Sequence, residues 1–545
     1  MRPAALCTSL LTAATRSFAL TTSTTRLVSS FSPSLTTKMV DYRELTNQLV
    51  TRMKQEDDLR NKAYDRSWEL NAALIRVEMA HEEVLSSPGN EELVSILEKE
   101  EESLDNLFRE TALSPDMYNN IVHNPSGDDE ITAIHERAPR RGNIDNKMES
   151  YARYKSVRYY LKNGNNKLLS PNAPCFSGTR NILTDEEYLG GACIGLCHDL
   201  SKIAVSRASN AMSDPTAVQF VQDARDTVAN ILQELLEFDW RNSPLRRKYD
   251  STKYALKQLE TVLYELSVAG ALGGHDSVKL KEEEEGGPKQ KRIKVDNEDN
   301  SNGKKEEQDE EKGEGALFKK GIAEIKERMD HRDKLRETLI KTSRDSQKAA
   351  KNSIFAMHRG NTKNAVKLLL DCENSVRNDL LPIVKEEPTL RGGSFSNVLE
   401  EYVEGKLFYC WLHGNDGDIS GDPNSSNNNK PAGTILTFDE ITLPITVDEY
   451  IGGLCDLTGE IGRFAVARGT VRDKESVKIC LETSKNIYMA IRMAGKLPGN
   501  INKKMNPLKN SIEKMERILY EQSLMEMAGR KFESSMEEGG FDAED

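Results

Sequence analysis

The chain has 545 residues, with 75 basic and 88 acidic side chains, a net charge of −13 and a mean hydropathy of −0.62. That length suggests two or three domains able to bury cores, and no run of about 18 apolar residues is present to span a bilayer. Aromatics at 6% and charged residues at 30% favour helices over a sandwich or barrel, and the acidic balance argues against nucleic-acid binding unless charge is unevenly spread.

Residues 1–38 contain no acid, several arginines and many Ser and Thr, the composition of an organelle transit peptide. The competing reading starts translation at Met39 and makes the stretch a gene-model artefact. A charged amphipathic pattern follows from Tyr42 to about Ser86, stops at Ser87-Pro88-Gly89, and resumes from Glu91 to Leu113. Arg140, Arg141, Lys147, Arg153, Lys155 and Arg158 then interleave with Tyr151, Tyr154, Tyr159 and Tyr160. Cations beside stacking rings are what single-stranded nucleic acid requires; the plainer reading is a helix face of long side chains reaching to water. Eight cysteines are too sparse for a disulfide framework and none forms a CxxC pair. The nearest cluster, Cys193, Cys197 and His198, lacks a second ligand pair, so buried thiols in a reducing compartment are expected.

Residues 273–315 are almost entirely Glu, Lys, Asp, Asn and Gly, so they are expected to form a disordered linker. Within them Pro288–Val295 reads as a short nuclear import signal or a basic patch in a solvated linker. Beyond the linker the charged helical pattern returns from Phe318 to His358 and from Thr362 to Val384. The Thr- and Ile-rich stretch Thr434–Val447 is the one strand candidate and reads better as a loop.

The halves on either side of the linker repeat one another. KYDSTKYALKQLETVLYELS (Lys248–Ser267) aligns without a gap to KMNPLKNSIEKMERILYEQS (Lys504–Ser523). Upstream, EYLGGACIGLCHDLSKIAV faces EYIGGLCDLTGEIGRFAV, and MESYARYKSVRYYL faces LEEYVEGKLFYCWL. Three matched segments in one order indicate duplication. Leu256, Leu259, Val262, Leu263 and Leu266 make the apolar stripe of a packed helix. Each half is therefore expected to be a bundle of six or seven helices.

In the second half Glu401 and Glu404 stand three apart, and Asp456 and Glu460 four apart, so each pair shares a helix face. A single E-x-x-E is ordinarily a solvated face, but Asp456 and Glu460 lie in an apolar, Gly-rich helix. Buried carboxylates are costly unless protonated or bound to a cation, and an all-oxygen set favours Mg²⁺ or Mn²⁺. The E-x-x-H pattern of di-iron bundles is absent, since Leu407 follows Glu404 by three. The first half has Ser150, Arg153 and Gly195 opposite Glu401, Glu404 and Asp456, and keeps only Asp199, opposite Glu460.

At these residues the sequence resembles the translin family. The first half resembles translin in DLSKIAVSRASN and SPLRRKYDSTKYALKQLETVLYELSVAGAL; the second resembles translin-associated factor X in EEYVEG and CDLTGEIGRFAV. The resemblance implies an all-α fold of two seven-helix bundles in tandem. The expected parts are a nucleic-acid-binding domain over 39–272, the disordered charged linker over 273–315, an endoribonuclease domain over 316–531 and an acidic tail over 532–545. It further implies binding of single-stranded RNA or DNA, self-assembly into a closed oligomer, and Mg²⁺-dependent (or Mn²⁺-dependent) RNA cleavage in small-RNA processing or passenger-strand removal during silencing. Cytoplasm and nucleus are the expected compartments, or mitochondria if 1–38 is a transit peptide. The family's acidic catalytic set falls on Glu401, Glu404, Asp456 and Glu460. The basic helix departs from translin, which carries histidines and a tryptophan where this chain has Tyr, Lys and Arg. Fusion fixes the two kinds of half at one to one, unless two adjacent genes have been merged. Two other readings compete: a nucleic-acid-binding assembly protein without catalysis, and an all-α nucleoside-triphosphate pyrophosphohydrolase, whose second acidic pair is normally closer in sequence and spaced by two.

Overall fold

The computed structural model describes residues 42–86, 90–118, 140–141, 143–164, 167–176, 182–209, 215–241, 243–270, 305–414 and 433–537. Among them every regular element is helical, and one isolated antiparallel bridge joins Tyr118 to Arg140. The first half contributes α1 (Arg43–Ser86), α2 (Glu91–Leu113), α3 (Ile144–Asn163), α4 (Leu196–Ala208), α5 (Pro215–Leu235) and α6 (Arg246–Val268). The second contributes α7 (Lys305–His358), α8 (Thr362–Ser375), α9 (Ser394–His413), α10 (Val447–Thr470), α11 (Lys474–Met493) and α12 (Gly499–Glu537). Short helical pieces, Asp185–Tyr188 and Leu381–Glu386, bring each half to seven among the described residues.

Helix boundaries follow local chemistry. Asn90 caps α2, its side chain accepting from the amides of Glu92 and Leu93, which satisfies donors that the first turn leaves free. The stripe read on α6 is the face that packs: Leu259, Val262 and Leu266 are buried, with Leu256 and Leu263 half-buried beside them. Thr434–Val447 forms no strand; it carries a single 3-10 turn, Phe438–Glu440. Most of the charged stretch 273–315 lies outside the described residues, as do 1–38, Pro288–Val295 and 538–545. Where that stretch is described it is helical, because α7 begins at Lys305 rather than Phe318. Glu, Lys and Gln are good helix formers, so a segment unable to bury a core still extends a helix nucleated downstream.

The repeat also explains an irregularity. The first-half segment that starts at Glu187 is one residue longer than its counterpart at Glu449, and the extra residue is absorbed as a π-helical stretch, Leu189–Gly195, leading into α4. A π turn inserts a residue without breaking the helix, so the register beyond it matches again.

Two compact units result. One contains the described residues of Arg60–Tyr118 and Pro139–Lys334, the other those of Met1–Leu59 and Leu335–Asp545. They differ from the halves 39–272 and 316–531: the core of the first unit includes Phe318, Ile322, Ile325 and Met329 from the start of α7, and that of the second includes Leu45, Leu49 and Met53 from the start of α1. No described helix is long and apolar enough to cross a membrane.

Ile325 is fully buried in the first unit, so Ile325→Ala should destabilise that unit by about 2–5 kcal/mol. Native-state hydrogen exchange is the check: protection should fall in α5 and not in α10, whereas a loss confined to α10 would assign Ile325 to the other core.

Candidate active site

The acids of the second half are positioned by a close crossing of α9 and α10. A side chain added at Gly453 would lie 2.6 Å from Val403, and one at Gly452 would lie 2.6 Å from the Glu400 carboxyl. Only glycine admits that approach. The start of α10 is fixed by a capping box, in which the Thr446 hydroxyl accepts from the Glu449 amide and Glu449 accepts from the Thr446 amide. Buried Arg391 clamps Glu449 from above with bonds of 2.6 and 2.9 Å and donates to the Pro444 carbonyl at 3.1 Å. The first half repeats the device with Thr184, Glu187 and Arg140, which donates to Glu187 at 2.5 Å and to the Ile182 carbonyl at 2.8 Å.

Glu401, Glu404, Asp456 and Glu460 line one cavity of about 400 Å³, so the spacing argument correctly brought two helices together. Their partners are less legible from sequence. Glu401 accepts from Lys351 at 2.9 Å. Glu460 accepts from Arg463 at 2.8 Å and lies 2.6 Å from His358 Nε2, 102 positions away. Asp456 accepts from Lys504 at 2.5 Å, and the same ammonium donates to Glu400. Glu404 alone has no hydrogen bond or ion pair among the described residues, although it is only 8% exposed. Burial, then the charges of Asp456, Glu401 and Glu460, push its carboxyl up to about 8.

Sequence reading missed Glu400, Lys351, His358 and Lys504. Lys504 did carry a signal, since it aligns with Lys248. Lys351 and His358 carried none, because they reach the site from α7, far upstream in the chain.

Glu401, Glu404, Asp456 and Glu460 are the residues that could hold a hard divalent cation: all four are carboxylates, and one is buried without a partner. As they stand, no three His, Cys, Asp or Glu side chains among the described residues come together closely enough to hold an ion. Three of the four acids are turned to cations of the chain itself.

The corresponding place in the first unit is closed by its own side chains. Arg153, aligned with Glu404, makes a bidentate pair with Asp199, and its side chain covers Gly195, where an added Cβ would meet the Arg153 Cδ at 3.0 Å. The expected open basic face of α3 is corrected in the same way. Arg140 and Arg141 are buried at 6% and 3% exposure. Lys147 donates to Asn71 at 2.7 Å, Lys155 to Asp105 at 3.0 Å and Arg158 to Glu101 at 2.9 Å. Tyr151 and Tyr154 are buried as well, donating to Asp105 and Glu101 at 2.9 Å each. Arg140 and Arg141 precede α3; on the helix Lys155, Arg158, Tyr151 and Tyr154 are answered by acids of α2, Lys147 by Asn71 of α1 and Arg153 by Asp199 of α4. Cys193 and Cys197 are buried thiols, and burial pushes Cys193 up to about 12. Four exposed cations without a carboxylate partner among the described residues lie together on α6: Arg246, Arg247, Lys253 and Lys257, with Tyr254 exposed between them.

Glu404 yields a pH prediction. Unfolded, it ionises near the ordinary glutamate value of 4.5; folded, it keeps its proton to about 8. The native state therefore binds more protons between those values, so its contribution to stability is complete below pH 4.5 and is lost as pH rises through 8. In chelator, the melting temperature of Glu404→Gln should exceed that of the wild type at about pH 8.5 and approach it near pH 5. A gap that widens on acidification would contradict a buried, proton-holding Glu404.

A translin family model matches residues 130–270 and 334–526, more than half of the chain. The translin-associated protein X homolog of Schizosaccharomyces pombe is 27% identical over 207 residues, covering 35% of this chain and 82% of that protein. Translin-associated protein X of Rattus norvegicus is 24% identical over 217 residues, covering 36% and 75%. Among solved structures the chain is similar to apo-NeC3PO (18% identity, TM-score 0.31, 37% of this chain and 96% of that one) and to AfC3PO in complex with duplex RNA (21%, 0.31, 38% and 98%). The two matched segments fall on the two repeats, and with the relatives they show that the chain belongs to the translin family, as a tandem of a translin-like half and a half like translin-associated factor X.

Proposed function

We propose that the second half is a divalent-cation-dependent endoribonuclease for single-stranded RNA, and that the first half binds single-stranded RNA or DNA. The observation that carries the first part is the cavity in which a buried, unpartnered Glu404 faces Glu401, Asp456 and Glu460. Those four residues would hold Mg²⁺ or Mn²⁺. When bound, such an ion supplies Lewis-acid polarisation of a phosphodiester and a more acidic water. The chain's own contribution is orientation. His358 and Arg463 fix the Glu460 carboxylate, while Lys351, Arg463 and Lys504 put positive charge on the cavity wall, where a phosphate can be held against four acids that would otherwise repel it. The cavity is open to solvent, as cleavage within a strand requires. Family membership supports a role in small-RNA processing, including passenger-strand removal in silencing, and assembly into a closed oligomer.

Labelled single-stranded RNA incubated with purified protein, with Mg²⁺ or with chelator, tests the activity. Asp456→Asn and Glu404→Gln should each slow cleavage at least about a hundredfold, the upper end of what loss of even an outer-shell partner costs a metal site, with RNA binding retained. Undiminished cleavage by Asp456→Asn would place the chemistry elsewhere, and wild type that binds without cutting would leave a binding module.

For the first half, the α6 cations are the residues to remove. Neutralising Arg246, Arg247, Lys253 and Lys257 together should weaken single-strand binding and flatten its dependence on salt, by about one unit of slope for each phosphate no longer neutralised. An unchanged slope would exclude this face.

A further inference from the structure

Lys504 reaches two acids at once, donating to Asp456 Oδ2 at 2.5 Å and to Glu400 Oε1. The first half holds the same lysine with only one of those acids. There Lys248 donates to both oxygens of Glu149 at 2.5 Å, and Gly195 stands where the second half has Asp456. A lysine–glutamate pair thus ties α6 to α3 and α12 to α9 in both copies. Asp456 is an additional claim on the ammonium, made only in the copy that keeps the acidic cavity. Of the four cavity acids, Asp456 is the one whose cation partner has another carboxylate to retreat to.

We propose that Lys504 is a resident cation that occupies Asp456 until a divalent ion arrives, and that its withdrawal onto Glu400 sets the affinity of the second half for that ion. The inference rests on the reading that Glu401, Glu404, Asp456 and Glu460 hold such an ion. An ammonium on a flexible four-carbon stem can swing between neighbouring carboxylates, and Lys248 on Glu149 shows the resting place that the same helix pair provides. While Lys504 stays on Asp456, it neutralises one ligand and repels an incoming cation; once it pairs with Glu400 alone, Asp456 is free and the pair still joins α12 to α9. Lys504 is thus a positioning residue, and its effect must appear in metal binding even with no RNA present.

The test is Mn²⁺ titration of the full-length protein, by calorimetry and by the electron paramagnetic resonance of free Mn²⁺. Lys504→Met should bind Mn²⁺ about tenfold more tightly than the wild type or better, as expected for removing a unit charge close to a divalent ion at protein-like permittivity. Lys504→Gln, which keeps a polar group for Glu400, should show the same gain if the methionine variant folds poorly. Lys248→Met removes the matching pair beside Gly195 and should bind as the wild type does. Unchanged or weaker binding in the Lys504 variants, with a wild type whose binding is lost in Asp456→Asn, overturns this inference and leaves the metal reading standing. An equal gain in Lys248→Met exposes a diffuse charge effect and also overturns it. Wild type that binds no Mn²⁺ overturns the metal reading and this inference with it.

Discussion

A close, glycine-dependent crossing of two helices is the constraint on which the site depends. Gly452 and Gly453 let α10 lie directly on the Glu400 and Val403 side chains of α9 with no side chain of their own in the way, and this brings acids from both helices into one cavity. The crossing is held in register by the capped, arginine-clamped start of α10. A side chain at Gly453 would have to displace Val403, and the acids would separate with the helices. The cavity is therefore a consequence of packing as much as of composition: carboxylates are common on helices, but ones that share a cavity because glycine removed the spacer are not.

Such a cavity is electrostatically expensive, and the two copies meet that cost in opposite ways. The second half surrounds its acids with Lys351, His358, Arg463 and Lys504 and leaves Glu404 to keep a proton. The first half has replaced three of the four acids and keeps Asp199. Arg153 stands in for Glu404, pairs with Asp199 and covers Gly195. One scaffold thus holds an open acidic cavity in one copy and, in the other, the same place covered by an internal arginine. The buried Arg–Glu clamp and the glycine crossing occur in both, which marks them as properties of the scaffold rather than of the chemistry.

Helical periodicity, the repeat and the pairing of Glu401 with Glu404 and of Asp456 with Glu460 were all legible in the sequence. Each is a statement about local spacing, and a helix converts spacing directly into direction. The basic reading of α3 was incomplete for a reason of the same kind. Spacing says that Arg153, Lys155 and Arg158 project from a helix, but not that Asp199, Asp105 and Glu101 wait opposite them.

The sequence by itself determined the all-α class, the duplication, the family and which copy keeps the acids, because all four are written in residue type and spacing along one chain. Only the tertiary structure decided the partners of those acids, the sealing of the first copy by Arg153, and the membership of the ends of α1 and α7 in the two cores. Those outcomes depend on pairs of residues dozens to hundreds of positions apart, and burial strengthens such interactions without leaving any periodicity in the sequence to announce them.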